Sequence, residues 1–270
     1  MLLGSCFSDN IGQIMKNMGF NVLVNPFGTL YNPMSVCNSI HRLDSNILFT
    51  EDECVQMGAG SKLICSFSHH TAAARETVEE FLIDANAALS EASEFFHEAS
   101  TIIITLGTAW VFKFNDTGEI VSNCLKRDAK EFTRERLPLK TCSLLLNSLV
   151  ERYHDKKFIF TVSPIRHLKD GAHGNQLSKS SLLLAEETVV QNNPLQCEYF
   201  PAYEIMMDEL RDYRFYAEDM VHPSVQAVNY IWERFCDFAL PMQELDILNK
   251  NRKAYLQSQH KTITRENKLL

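Results

Sequence analysis

The sequence predicts an α/β protein in which a parallel sheet is covered by helices on both faces. Short apolar or β-branched runs alternate along the chain with amphipathic helical stretches, and this alternation is typical of such a sheet. Of the 270 residues, 45% are hydrophobic and 22% are charged, which allows a substantial core and excludes a disordered chain. The chain contains no repeat, low-complexity tract or obvious linker, so we expect one domain over residues 1–270.

Five runs are expected to form the strands of the sheet. They are Leu2-Leu3, Asn21 to Val24, Thr101 to Leu106, Phe158 to Val162 and, at an edge because it contains Pro201, Tyr199 to Tyr203. A β-hairpin, Trp110 to Phe114 with Glu119 to Val121, breaks the alternation, and we expect it to lie over one end of the sheet. Gly58, Gly60 and several serines predict a long loop from Thr50 to His70.

The helices follow from apolar residues that recur with a helical period. Ser8 or Asp9 is expected to cap the first helix, in which Ile11, Ile14 and Met18 share one face. The others are predicted at Met34 to Arg42, Thr71 to His97, Leu139 to Tyr153, Gln176 to Val190, and from Pro223 to about Ala239. From about residue 241 the chain is charged and polar, and we expect a helical tail at the surface.

Charge and cysteine usage exclude several classes of function. The chain has 26 basic and 34 acidic residues, a net charge of −8, which argues against nucleic-acid or anionic-membrane partners. No uninterrupted run of apolar residues is long enough for a membrane-spanning helix. The eight cysteines occur singly, with no C-x-x-C pair, which indicates a reducing compartment rather than a disulfide scaffold or structural zinc site. No signal peptide is visible, so we expect a cytoplasmic protein, although the short lead-in before Gly4 is compatible with a segment upstream of Met1.

Two short stretches carry residues suited to chemistry, at positions where a parallel sheet binds ligands. Cys6 lies on the turn between the first strand and its helix, where free N–H groups and the helix dipole lower a thiol's pKa from ~8.5. Asp219 and His222 are three residues apart, so the carboxylate can hold one ring nitrogen while the other faces a nucleophile. Alone, the first stretch also fits a tight turn with a buried cysteine, and the second fits a capped helix start. His69-His70 are adjacent, which makes them a poor metal pair.

Together these stretches resemble a known family. Gly4-Ser5-Cys6-Phe7-Ser8 looks like the signature of the GSCFA-domain family, within the SGNH (GDSL-type) hydrolase superfamily. The resemblance runs from Gly4 to about Phe235 and includes several longer stretches. These are Asn25 through Pro33, Thr105 through Trp110, Ser163-Pro164-Ile165-Arg166-His167, Ser178-Lys179 and Tyr203 through Pro223.

The resemblance implies a three-layer α/β/α sandwich with a flavodoxin-like parallel sheet of about five strands. It also implies an esterase or acyltransferase that acts on an acyl group, often acetyl, of a carbohydrate or small-molecule ester, without metal or organic cofactor. In that pattern Cys6 stands at the nucleophile, His222 at the base and Asp219 at the acid. Gly28 matches the glycine that donates a backbone N–H to the oxyanion.

Two features depart from the superfamily pattern or extend it. The oxyanion asparagine is absent, because Gly107-Thr108-Ala109 stands in its place, and Thr108 or Asn123 is the candidate replacement donor. Losing one such donor typically costs ~2.7–4 kcal/mol of transition-state stabilisation. Arg166 and His167 are expected to face the same cleft, where Arg166 suits a substrate carboxylate or phosphate, or else pins the loop by a salt bridge.

Three alternatives stay open from the sequence. Ser5 is the rival nucleophile, although alternation along the strand points it away from Cys6. A catalytically silent binding module would keep the fold and the cleft, which the missing asparagine favours. A redox-sensing thiol at Cys6 would need neither Asp219 nor His222. If the chain is an enzyme, we expect Gly4 to Phe7, Gly28, Gly107-Thr108 and His222 to converge on one end of the sheet.

Overall fold

The computed structural model describes residues 1–259, whose centre is a parallel sheet flanked by helices. The strands are β1 (Leu2–Gly4), β2 (Cys54–Gln56), β3 (Ile64–Ser66), β4 (Thr101–Leu106), β5 (Trp110–Phe114), β6 (Ile120–Val121), β7 (Phe132–Arg136), β8 (Lys157–Val162) and β9 (Cys197–Tyr199). The helices are α1 (Cys6–Asn17), α2 (Pro33–Ser45), α3 (Val78–Glu98), α4 (Leu139–Arg152), α5 (Gly171–Asn192), α6 (Ala202–Glu204), α7 (Val225–Ala239) and α8 (Met242–Gln259).

The central sheet has four parallel strands in the order β1-β4-β8-β9. Beyond β1, Val24 joins the sheet only through a single parallel bridge to Leu2. The run from Asn21 to Val24 is therefore not the full strand expected, since Asn25 turns into a left-handed conformation and Pro26 follows it. The predicted alternation of strands and helices is confirmed, and it gives the parallel arrangement.

Side chains alternate between the two faces of the sheet, and each face has its own apolar core. On one face, Leu3, Ile104 and Phe160 pack in a cluster that includes buried residues of α2, α3, α4 and α5. On the other face, Ile103 and Ile159 pack in a cluster with buried residues of α1 and α7. The sheet is consequently covered on both sides, as the sequence predicts.

An antiparallel excursion follows β4. The expected hairpin is present as β5 and β6, and a third strand, β7, pairs with the other edge of β5. Strand β7 is not predicted from its residues, because Thr133-Arg134-Glu135-Arg136 is polar throughout. The region expected to be a long loop also contains a short antiparallel ladder of β2 with β3.

Several element boundaries differ from the sequence prediction, and the capping residues explain the differences. Helix α1 begins at Cys6 and is capped by Ser5, not by Ser8 or Asp9. Helix α3 begins at Val78, where Thr77 forms a capping box with Glu80, rather than at Thr71. Helix α7 begins at Val225 under a Ser224 cap, which leaves Pro223 outside the first turn.

Three further boundaries differ near the carboxyl half. Helix α5 begins at Gly171 and not at Gln176, so part of the expected polar loop is helical. Strand β9 ends at Tyr199, because Pro201 caps the short helix α6. The expected C-terminal helix is present as α8, and the tail beyond Gln259 lies outside the described residues. No helix within residues 1–259 is long and apolar enough to cross a membrane.

Candidate active site

Main-chain hydrogen bonds bring three segments together at the carboxyl end of the parallel strands. The N–H of Ser5 donates to the carbonyl of Thr105, and the N–H of Leu30 donates to the carbonyl of Gly4. The N–H groups of Gly107 and Thr108 both donate to the carbonyl of Tyr31 at 2.8 Å. The segments after β1 and β4 and the segment from Asn25 to Tyr31 therefore form one surface.

Gly4 allows the nucleophile candidate to approach the neighbouring strand. Its φ is +140°, and an added Cβ would lie 2.1 Å from the carbonyl oxygen of Thr105. Only glycine fits this backbone conformation at this distance. The close approach places Ser5 and Cys6 directly beside the end of β4.

Ser5 serves the structure of the turn. Its side chain is buried, with 1% of the residue exposed. Its Oγ accepts the N–H of Phe7 as the helix cap and lies 2.9 Å from the Oγ of Ser163. Cys6, in contrast, is partly exposed in the first turn of α1. Of the two rival nucleophiles, only Cys6 is partly exposed.

The electrostatic environment of Cys6 differs from the sequence expectation. Burial raises the pKa of the Cys6 thiol, and the carboxylate of Asp9 raises it further. The N–H groups of Cys6 and Phe7 lower the pKa, and Asp219 raises it slightly. The expected lowering is therefore wrong, because desolvation and the nearby carboxylates outweigh the helix N-terminus. The contribution of Asp219 also shows that this carboxylate lies within electrostatic range of the thiol.

Asp219 and His222 form a tight pair. Oδ2 of Asp219 lies 2.6 Å from Nδ1 of His222, while Oδ1 accepts the N–H groups of Val221 and His222 at 2.9 Å each. These two N–H bonds and the ring hold the pKa of Asp219 well below its usual range, at about 2. Met220, the residue after Asp219, adopts a left-handed φ of +61° in this turn. With Nδ1 occupied, Nε2 of His222 is the ring nitrogen left for another partner.

The Asp219–His222 pair is attached to the same end of the sheet. The carbonyl of Val221 accepts the N–H of Arg166, which follows β8. The side chains of His222 and Asp219 are 45% and 50% exposed, so a dissolved ligand can reach them. A main-chain hydrogen bond thus links the D-x-x-H stretch to the segment that follows β8.

Two of the expected oxyanion donors are engaged elsewhere. The N–H of Gly28 donates to the carbonyl of Asn25 at 2.8 Å, and the Cβ of His70 packs against this glycine. The N–H of Thr108 donates to Tyr31, and its Oγ1 pairs with the hydroxyl of Ser178 at 3.0 Å. The expectation that Gly28 or Thr108 offers a free donor is corrected by these bonds. A local turn uses the N–H of Gly28, and contacts with Tyr31 and with Ser178 of α5 use the N–H and hydroxyl of Thr108.

Asn123, the other candidate donor, lies in the loop after β6. Its Oδ1 accepts the N–H of Leu125 at 2.8 Å, and its own N–H donates to the carbonyl of Phe67. Among the residues the structure describes, no hydrogen bond joins Asn123 to Cys6 or His222. The structure therefore places Asn123 in the excursion, without a link to the candidate nucleophile.

Arg166 and His167 both lie in the loop after β8. The guanidinium of Arg166 stacks on the ring of Tyr216 at 3.9 Å, and no ion pair involves it within residues 1–259. The salt-bridge alternative for Arg166 is therefore not found. Burial, followed by the charge of Lys179, lowers the pKa of His167 to about 4. Its Nε2 lies beside Gly107, 3.3 Å from where a Cβ would stand.

Three side chains near Cys6 were not singled out from the sequence as site residues. Asp9 lies one helical turn after Cys6, and this i, i+3 spacing on α1 is enough to predict from the sequence that the two side chains are neighbours. Burial raises the pKa of the Tyr31 phenol, and the charges of Cys6 and Asp9 raise it further, so this ring also lies near the thiol. Lys179 is fully buried and within electrostatic range of Cys6. A lysine on a helix gives no sequence signal for burial.

Alkylation of the eight cysteines tests this electrostatic picture. Burial raises the pKa of six thiols to about 11 or 12, whereas Cys6 and Cys54 are raised less. Because only the thiolate reacts, we expect iodoacetamide near neutral pH to label Cys6 and Cys54 first, and more slowly than a free cysteine. Peptide mapping over time measures the order. Faster labelling of any of the other six would contradict it.

The comparisons with known proteins agree with the resemblance of the opening motif. The model of the GSCFA family matches residues 1–235, from β1 to the last turns of α7. The chain belongs to the GSCFA family. The matched range includes every candidate site residue of this GSCFA protein and leaves α8 outside. No curated protein matches the chain, and no solved structure matches it.

Proposed function

We propose that this GSCFA protein is a metal-independent esterase or acyltransferase of the SGNH hydrolase type, with the corresponding α/β/α sandwich. Its substrate is an acyl ester, such as an acetyl ester, of a carbohydrate or small molecule. The observation that carries the proposal is the 2.6 Å bond between Asp219 and Nδ1 of His222. With Nδ1 held by this bond, Nε2 is the ring nitrogen that the proposal assigns to the Cys6 thiol.

In the proposed reaction, Nε2 of His222 takes the proton of the Cys6 thiol as Sγ attacks the acyl carbonyl carbon. The tetrahedral intermediate collapses, the carbon–oxygen bond to the alcohol breaks, and His222 returns the proton to the departing oxygen. A thioester on Cys6 remains. Water or an acceptor alcohol, deprotonated by His222, then attacks the thioester and regenerates the thiol. Asp219 keeps the ring in the tautomer that this sequence of transfers requires.

The raised pKa of Cys6 defines the task of His222. At neutral pH the thiol carries its proton, so no preformed thiolate is available. A general base must therefore remove the proton during attack. For the oxyanion, we expect the N–H of Cys6 to serve as a donor, because the first turn of a helix supplies no acceptor for it. Arg166 provides a positive charge for an anionic part of the substrate.

A silent binding module is the second candidate. The engagement of Gly28 and Thr108 favours it, since both expected oxyanion donors are already bonded. Loss of each donor typically costs ~2.7–4 kcal/mol of transition-state stabilisation. In this case the cleft would bind an ester or glycan without cleaving it.

Hydrolysis of p-nitrophenyl acetate separates the two candidates. We expect the wild-type protein to hydrolyse this ester above the uncatalysed rate and His222→Ala to lose the activity. His173→Ala, which removes an exposed histidine of α5, is the matched control and is expected to keep it. Wild-type protein without turnover, or His222→Ala with full turnover, would contradict the enzyme proposal.

A further inference from the structure

Lys179 is a fully buried lysine that the proposed reaction does not use. It lies on α5 with none of its surface exposed, and its Nζ donates to the main-chain carbonyl of Ser163 at 2.7 Å. The Nζ also lies 5.4 Å from the centre of the Tyr203 ring. Lysine is almost never fully buried without a strong partner. Within residues 1–259, no carboxylate forms an ion pair with it.

The groups around Lys179 come from five elements. The titratable and charged side chains that face it or its neighbours are Glu186 on α5, Cys6 on α1, His167 after β8, Tyr199 on β9, and Tyr203 and Glu204 on α6. Burial raises the pKa of Glu186 well above its usual range, so that its carboxyl group is neutral. Burial lowers the pKa of Lys179 to about 7. A structural salt bridge therefore does not explain why this lysine is inside.

The residue that Lys179 binds is linked to the cap of the helix that begins with the candidate nucleophile. Ser163 follows β8 and is fully buried, and its Oγ lies 2.9 Å from the Oγ of Ser5. Ser5 caps α1, whose first residue is Cys6. The ammonium group of Lys179, the hydroxyls of Ser163 and Ser5, and the N–H of Phe7 thus connect the interior of α5 to the first turn of α1, which Cys6 begins.

We propose that Lys179 is a positioning residue for Cys6, acting through Ser163 and Ser5. The lysine holds the turn after β8, this turn holds the Ser5 hydroxyl, and the cap fixes the first turn of α1. The inference rests on the proposed role of Cys6 as the nucleophile. The proposal predicts a change in the pKa of the Cys6 thiol, which can be measured without any substrate. A displaced first turn would move the N–H groups of Cys6 and Phe7, which favour the thiolate, away from Sγ.

The test measures the rate at which iodoacetamide alkylates Cys6 in the folded full-length chain across a pH series. In Lys179→Met we expect the rate near neutral pH to fall roughly five- to tenfold and the pH midpoint to rise, since one pKa unit is about a tenfold change in thiolate. Lys156→Met is the matched control. Lys156 is also buried, donates to the carbonyls of His97 and Ala99, and lies over the Phe96 ring, at the amino end of the strands. We expect Lys156→Met to lose stability and to leave Cys6 alkylation unchanged.

A double-mutant cycle tests the route through Ser163. Ser163→Ala keeps the carbonyl that Lys179 binds and removes the hydroxyl that contacts Ser5. We expect Ser163→Ala to slow the alkylation of Cys6, and the double variant to be no slower than the worse single variant. Additive effects would overturn the route. If Lys179→Met does not fold, Lys179→Gln keeps an amide donor on a shorter side chain, and we expect a smaller loss of roughly two- to fivefold.

Alkylation of Cys6 needs no ester hydrolysis, so failure of the positioning role can be distinguished from failure of the proposed function. Wild-type rates and pH midpoints in the Lys179 variants would overturn the positioning role, even if the ester is hydrolysed normally. Slower alkylation in Lys179→Met, together with a wild-type protein that hydrolyses no ester, would retain the positioning role and reject the proposed function.

Discussion

Replacement of Cys6 by alanine is expected to lower kcat/KM for p-nitrophenyl acetate by roughly 10³-fold or more, because the variant has no atom that can form the acyl intermediate. The residual rate then reflects binding and the remaining polar groups. Steady-state kinetics on purified protein measure the loss, and circular dichroism checks that the variant is folded. Cys6 is only partly buried, so the smaller side chain leaves little cavity.

Two control variants make this result specific. Cys54→Ala removes another partly buried thiol, in β2 and away from the site, and is expected to keep full activity. Ser5→Ala removes the helix cap, which typically costs ~1 kcal/mol of stability, and is expected to lower turnover far less than Cys6→Ala. An active Cys6→Ala together with an inactive Ser5→Ala would assign the nucleophile to Ser5.

Asp219→Asn is expected to lower kcat by roughly 10²- to 10⁴-fold while the fold is retained. An amide in place of the carboxylate favours the wrong ring tautomer and no longer stabilises the imidazolium that forms during attack. Because Asp219 has a pKa of about 2, it is ionised throughout the working range, so its own protonation should not change the wild-type rate above about pH 4. Rate profiles of both proteins over pH measure this.

Asp212→Asn is the matched control for Asp219→Asn. Asp212 also accepts a main-chain N–H, that of Arg214, and its pKa is also lowered, but it has no histidine partner. We expect Asp212→Asn to keep its activity. Unchanged turnover in Asp219→Asn would reduce Asp219 to the cap of a tight turn.

The elements that the sequence predicts well are those buried by long apolar runs or clear helical periods. The extents of β4, β8 and α4 lie within one residue of the prediction at each end. Strand β7 was missed because its residues are polar and its pairing depends on the neighbouring β5. The run before Asn25 is predicted as a strand, but only Val24 forms a bridge to Leu2, because Asn25 turns into a left-handed conformation directly after it.

The candidate site also contains some features that the sequence predicts and others that it does not. Residue types and spacing locate Cys6 and the Asp219–His222 pair, because these depend on local sequence. The availability of the N–H groups of Gly28 and Thr108 depends on loop hydrogen bonding, which no pattern reveals. The raised pKa of Cys6 depends on desolvation by distant segments and on Asp9, so the helix start alone predicts the wrong direction.

Trapping the acyl intermediate tests the central claim most directly. The protein is mixed with p-nitrophenyl acetate, quenched in acid, and its peptides are sequenced by mass spectrometry before and after treatment with hydroxylamine. A thioester nucleophile predicts one acetyl group on Cys6 that hydroxylamine removes, that is absent from Cys6→Ala, and that forms more slowly in His222→Ala. An acetyl group that persists in Cys6→Ala on the Ser5 hydroxyl, or no labile acetyl group at all, would contradict the claim.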